Sequence, residues 1–158
     1  MHDSRRQTVL VLIAATLLLA GTASAQDTSQ QPPPPQNSFT DRDASALLAQ
    51  LAEALQGHSE KKLLAIFDLS RMKDAALFKQ QITAFFSQAE SIRVHLNVAE
   101  THVEGEKATV AVDAEMEVEP RNGSPVWRRN ERLNFVAVNV GGSWKFIDVQ
   151  PRSFFSLP

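Results

Sequence analysis

"SIRVHLNVAETHVEGEKATVAVDAEMEVE", Ser91 to Glu119, carries the pattern that decides the fold. Ile92, Val94, Leu96 and Val98 alternate with Arg93, His95, Asn97 and Ala99. Beyond the turn "EGEK", Val110, Val112, Ala114, Met116 and Val118 alternate with Asp113, Glu115, Glu117 and Glu119. Successive side chains of a strand point to opposite faces, so a period of two predicts the two half-buried strands of an antiparallel hairpin. Residues directly opposite share a face. Centring the turn on Gly105 sets Leu96 against Ala114, Arg93 against Glu117 and His95 against Glu115, which separates one apolar face from one charged face.

Downstream, "PRNGSP" turns the chain into a third strand, Val126 to Val140. Pairing Glu117 with Arg128 and Asp113 with Arg132 also sets Val112 against Leu133 and Val110 against Phe135, so one register satisfies both faces. Gly141-Gly142 supplies the positive-φ dipeptide of a tight turn into a fourth strand, Trp144 to Val149. Strict alternation then pairs Asn139 with Trp144, Ala137 with Phe146 and Phe135 with Asp148 on the inner face. Val136, Val138, Ile147 and Val149 are left on the outer face. A sheet region apolar on both sides needs a cover on both sides. The candidates for the outer cover are a second copy of the domain or the tail "PRSFFSLP", with Phe154 and Phe155.

Upstream the period is helical. Ala44, Leu47, Leu48, Leu51 and Leu55 form one stripe that stops at Gly57; Ser59 opens a second stripe of Leu63, Leu64, Ile66 and Phe67; Leu77, Phe78, Ile82, Phe85 and Phe86 form a third. The fold class expected is α+β, three N-terminal helices packed on a curved four-stranded antiparallel meander. The chain begins with Arg5 and Arg6, an apolar run from Val9 to Ala20 and Ala23-Ser24-Ala25, the order of a secretory signal peptide cleaved after residue 25. Residues 26–39, with Pro32 to Pro35, read as an extended linker, 40–151 as the domain and 152–158 as a tail. The expected location is therefore periplasmic or extracellular, with no stable membrane insertion once the leader is removed. There is no cysteine, so thiol chemistry and disulfides are excluded, and 16 Lys+Arg against 18 Asp+Glu gives no basic surface for nucleic acid.

Motifs with chemistry are sparse. No glycine-rich phosphate loop or Gly-x-Ser-x-Gly elbow occurs, since Gly141-Gly142 joins two strands. His95 faces Glu115 on the charged outer face, a solvated cross-strand pair, and His58 and His102 fall in loop and turn positions with no metal-binding spacing. Asp113, Glu115, Glu117 and Glu119 lie about 6.5 Å apart along a strand, too far for shared calcium coordination. They are opposed by Arg93, Arg128 and Arg132. No metal and no cofactor are expected. Asp148, set among Phe135, Trp144 and Phe146, reads either as a buried base or as a strand-end carboxylate bonded to an amide or to Arg152.

Helices followed by a meander ending in "GGSWKFIDV" resemble the nuclear transport factor 2-like superfamily, which includes ketosteroid isomerases and polyketide cyclase-like proteins. "LLAIFDLSRMKDAALFKQQITAFF", "SIRVHLNV" and Trp144 to Ile147 are similar to accessory domains of that class on bacterial exported proteins. The resemblance implies a cone-shaped fold over 40–151 with a pocket at its open end, and an association of two sheets as homodimer. In the isomerase branch it implies an aspartate base beside a tyrosine, and this chain has no tyrosine. The pocket expected here comprises Phe86, Leu133, Phe135, Asn139, Trp144, Phe146 and Asp148, and the interface Val136, Val138, Ile147 and Val149. The function expected is an exported, non-catalytic module that self-associates and binds a small apolar ligand or a protein partner. The alternative is an isomerase-like or cyclase-like enzyme with Asp148 as general base.

Overall fold

The computed structural model describes residues 38–157. The leader and all of the linker up to residue 37 lie outside the described residues. Helix α1 (Asp41–Gln56) starts at a capping box: the Thr40 hydroxyl accepts from the Asp43 N–H, and the Asp43 carboxylate accepts from the Thr40 N–H. Such caps contribute about 1 kcal/mol by satisfying amides that the first turn cannot. Its buried stripe is Ala44, Leu47, Leu48, Leu51, Ala54 and Leu55. Helix α2 (Glu60–Ala65) is short and capped by Ser59, whose hydroxyl accepts from the Lys62 N–H at 3.3 Å. Helix α3 (Ala75–Gln88) buries Phe78, Ile82, Phe85 and Phe86.

The helices pack on one antiparallel sheet with strand order β1-β2-β3-β4: β1 (Ala89–Glu104), β2 (Lys107–Pro120), β3 (Trp127–Val140) and β4 (Ser143–Gln150). The expected registers are found in the first two hairpins, with Arg93 opposite Glu117, Leu96 opposite Ala114, Asp113 opposite Arg132 and Val110 opposite Phe135. Val110, Val112, Leu133 and Phe135 are fully buried on the inner face. β1 carries one irregularity in its second half, where Ala99 is passed over between Val98 and Glu100.

The last hairpin departs from simple alternation. Gly141 and Gly142 take φ of 58° and 89°, as a two-residue turn of this hand requires, and Asn139 opposes Trp144 and Ala137 opposes Phe146. Then Ile147 is extra. Asp148 opposes Val136 and Val149 opposes Phe135. A bulge of one residue moves everything beyond it to the other face. Asp148 is therefore not an inner-face residue, and Val149, expected in an outer interface, is a core residue with no exposure.

The tail is also placed differently from expectation. Arg152–Phe155 form a 3-10 helix, and Phe154 and Phe155 are fully buried in the core that the helices cover. Phe155 lies edge-on to Phe78 with ring centres 6.1 Å apart. The Gln81 side chain donates to the Arg152 carbonyl at 2.6 Å and to the Ser156 hydroxyl at 2.7 Å. The tail thus closes the inner side of the sheet rather than covering the outer side, because two phenylalanines gain most where an apolar layer is already open. Phe39, on the linker side of the expected boundary, is also buried, with its ring edge-on to Trp144 at 4.9 Å.

The two sheet edges differ. β4 is capped by the segment after α2: the Phe146 N–H donates to the Ile66 carbonyl at 3.1 Å and the Asp68 N–H to the Phe146 carbonyl at 2.7 Å. Among the described residues, β1 has β2 as its single strand neighbour.

Candidate functional site

Of the residues expected to line a pocket, Phe86, Leu133, Phe135 and Phe146 are buried in the core and Asn139, Trp144 and Asp148 are partly exposed. Leu133, Phe135 and Phe146 have no exposure, and the rings of Phe135 and Phe146 lie tilted by 35° with centres 4.5 Å apart. Phe86 packs against Phe85 at 5.9 Å and His58 at 5.8 Å. Asn139 belongs to the turn, where its side-chain oxygen accepts from the Gly142 N–H at 3.0 Å. Trp144 is half-buried against Phe39. Phe78, Phe85, Phe135, Phe146, Phe154 and Phe155 are the largest fully buried side chains, and no polar or charged residue is buried among the described residues. Rings in this core touch one another, as Phe67 does Phe78 and Phe154 does Phe155, with ring centres 4.9 and 5.4 Å apart.

Asp148 is the residue whose expected role changes most. Its Oδ1 accepts from Arg152 Nη2 at 2.9 Å, and Gln150 Nε2 lies 3.4 Å from both carboxylate oxygens. Arg152 Nη2 also donates to the Lys73 carbonyl at 2.8 Å. The carboxylate ties the 3-10 helix to β4 and to the loop before α3, and the second of the two sequence readings, a bond to Arg152, is the one found. On the outer face, His95 is exposed in the row with Arg93 and Asn97. Glu117 accepts from Arg93 Nη1 at 2.6 Å and Arg128 Nε at 2.7 Å, and Asp113 from Arg132 Nε at 2.9 Å. Asp113 and Glu117 are paired with arginines and Glu119 accepts from the Ser91 hydroxyl at 3.2 Å, and no group of three His, Asp or Glu side chains is placed to hold a metal among the described residues.

A cavity of about 540 Å³ lies instead where α3 ends under the turn between β2 and β3. It is lined by Ser87 and Gln88 at the end of α3, by apolar Pro120, Pro125, Val126, Trp127 and Leu157, and by polar Arg121, Asn122 and Ser124. The turn is fixed in place: the Arg121 N–H donates to the Gln88 carbonyl at 2.8 Å, Arg121 Nη1 to Glu90 at 2.9 Å, and Asn122 Oδ1 accepts from the Ser124 N–H at 3.0 Å. The Arg129 guanidinium sits 4.3 Å from the centre of the Trp127 ring and also donates to the Ser153 carbonyl. Arg129 thereby links the indole to the tail. This volume lies within the range of small-molecule sites, about 300–1,000 Å³, and the lining combines apolar side chains with a few polar groups. Sequence reasoning missed this site because its walls are turn residues and a tail, which carry no periodicity; the signal available was Trp127 beside two prolines.

Comparison with known proteins adds the fold. No protein-family model and no curated protein sequence matches the chain. A nuclear transport factor 2-like superfamily protein from Salmonella enterica serovar Typhimurium superposes with a TM-score of 0.62 at 11% identity, over 68% of this chain and 86% of that one. The chain has the nuclear transport factor 2-like fold. A candidate scytalone dehydratase from Novosphingobium aromaticivorans is similar with a TM-score of 0.63 at 15% identity, over 69% of this chain and 80% of that one. A type 2 hexachlorocyclohexane dehydrochlorinase is similar with a TM-score of 0.53 at 12% identity, over 70% and 86%. At these identities the nuclear transport factor 2-like likeness concerns the backbone, and function rests on the side chains of this chain.

Proposed function

We propose that this nuclear transport factor 2-like domain is a binding module, not a catalyst, and that it takes a flat, largely apolar small molecule against Trp127 at the end of α3. The observation that carries the reading is the pairing of an aromatic core, with Phe78, Phe85, Phe135, Phe146, Phe154 and Phe155 fully buried, with a cleft of about 540 Å³ beside Trp127. A general base must reach the proton it removes, and Asp148 is engaged by Arg152 on the far side of the bulge. The alternative, an isomerase-like or cyclase-like enzyme using Asp148, draws its support from neighbours named as a dehydratase and a dehydrochlorinase.

Titration with anilinonaphthalenesulfonate, a flat apolar probe, separates the two. The binding reading expects one saturable site that weakens at least about tenfold in Trp127→Ala, roughly 1.4 kcal/mol, and keeps its affinity in Asp148→Asn. Binding lost in Asp148→Asn and retained in Trp127→Ala supports the alternative.

Self-association through the outer face rests now on Val136, Val138 and Ile147, since Val149 faces inward. Export through residues 1–25 is likewise part of the proposal. Among the described residues no helix is long and apolar enough to cross a membrane.

A further inference from the structure

The cleft beside Trp127 is lined by two separate parts of the chain. Leu157 is the tail's contribution, and the other lining residues belong to the end of α3 and to the chain between the end of β2 and the start of β3. Leu157 lies two residues beyond Phe155, the last ring that the core holds. Its place therefore depends on what fixes Ser156.

The Ser156 N–H donates to the Ser153 carbonyl at 3.1 Å, which closes the 3-10 turn, and the Ser156 hydroxyl accepts from Gln81 Nε2 at 2.7 Å. The same nitrogen donates its second hydrogen to the Arg152 carbonyl at 2.6 Å. One side-chain amide thus holds the tail on both sides of Phe154 and Phe155. Gln81 stands on α3 seven residues before Gln88, on the same side of the helix and about 10 Å away along its axis. It is not among the residues that line the cleft. From the β3 side, Arg129 donates to the Ser153 carbonyl while its guanidinium lies 4.3 Å from the centre of the Trp127 ring.

We propose that Gln81 is a positioning residue of the cleft: through Ser156 it sets Leu157 in place as part of the lining, so that a ligand beside Trp127 and the docked end of the tail stabilise one another. The inference rests on the binding reading of this cleft. A site that needs an ordered wall loses apparent affinity in proportion to the fraction of molecules in which the wall is out of place. By linkage, a ligand that touches the wall raises the fraction in which it is in place. Gln81 is neutral and lies outside the lining, so its effect on a ligand runs through the tail and not through contact or charge.

The test uses the full-length chain with anilinonaphthalenesulfonate as the probe. Gln81→Met keeps the length of the side chain and removes both donated hydrogens, and Ser156→Ala removes the acceptor on Ser156 alone. Each is expected to weaken binding about threefold or more, the scale that one neutral hydrogen bond supplies. In a Leu157→Ala background, where the wall is already cut back, Gln81→Met is expected to have no further effect. In the isotope-labelled wild-type protein the order parameter of the Leu157 methyl groups should rise when the probe binds, and in Gln81→Met it should start lower. Wild-type affinity in either Gln81→Met or Ser156→Ala overturns the proposal, as does a Gln81→Met loss that persists in full in the Leu157→Ala background. Trp127→Ala separates this failure from that of the cleft itself. Affinity that falls in Trp127→Ala but in neither tail variant leaves the cleft standing and removes the role of Gln81, whereas affinity indifferent to Trp127→Ala removes both.

Discussion

Arg152 donates through Nη2 to the Asp148 carboxylate at 2.9 Å and to the Lys73 carbonyl at 2.8 Å, so one guanidinium fastens the C-terminal helix to β4 and to the loop before α3. The pair is partly solvated, with side chains 19% and 35% exposed, which screens the charge interaction. Asp148→Asn is expected to destabilise the protein by about 1 kcal/mol, read as a shift of the urea midpoint without a change in slope. Loss of more than about 3 kcal/mol, as for breaking a deeply buried pair, would show that Asp148 is desolvated in a way the geometry excludes.

Phe155 and Phe154 make the tail part of the core. Phe155→Ala leaves a hole beside Phe78 and is expected to cost about 3–5 kcal/mol in chemical denaturation. Truncation after Pro151 removes both rings and the contacts from Gln81 and Arg129. The truncated protein is expected to unfold or to bind anilinonaphthalenesulfonate at a second, interior site. A truncated protein as stable as the full chain, with no new site, would contradict the tail's place in the core.

Val138 is 5% exposed on the outer face, set between Lys107 and Lys145, while Val136 and Ile147 are half-buried. If these residues mediate self-association, Val136→Lys is expected to shift sedimentation toward the monomer with little loss of stability. Val138→Lys is expected to lower stability as well, by about 1.5–3 kcal/mol. An unchanged association state in both variants would remove this face as an interface.

Two carboxylates are held below their ordinary range. For Glu53 the cause is the hydrogen bond from Lys62 at 2.8 Å together with its charge; for Asp68 it is chiefly the hydrogen bond from the Ser70 hydroxyl. With a folded-state pKa below the unfolded one, their contribution is complete above the unfolded value and is lost as pH falls through the folded-state value. Carboxyl NMR titration of Lys62→Met should raise the Glu53 midpoint. An unmoved midpoint would assign the shift to another source.

Most of the sheet was legible because charge and apolarity obeyed the same register: Glu117 opposite both Arg93 and Arg128 leaves Val110, Val112 and Leu133 no choice of face. The bulge at Ile147 was not legible. Alternation continues through "WKFIDV" whether or not a residue is skipped, and only the burial of Val149 against Phe135 decides it. That one residue moved Asp148 off the inner face and took the carboxylate out of the expected site. The closing of the interior by Phe154 and Phe155 was hidden for a related reason, since two apolar residues in a short tail state that they will be covered without stating by which face.

The place where a flat apolar ligand sits decides between the cleft beside Trp127 and the interior. Contacts between bound anilinonaphthalenesulfonate and the protein, read as intermolecular NOEs in the full-length chain, locate it directly. The expected contacts are to the Trp127 ring, Val126 and Leu157, with Leu133, Phe135 and Phe146 silent. Contacts to Leu133, Phe135 or Phe146 with the tail still in place would show that the interior is open to ligands and would contradict the account.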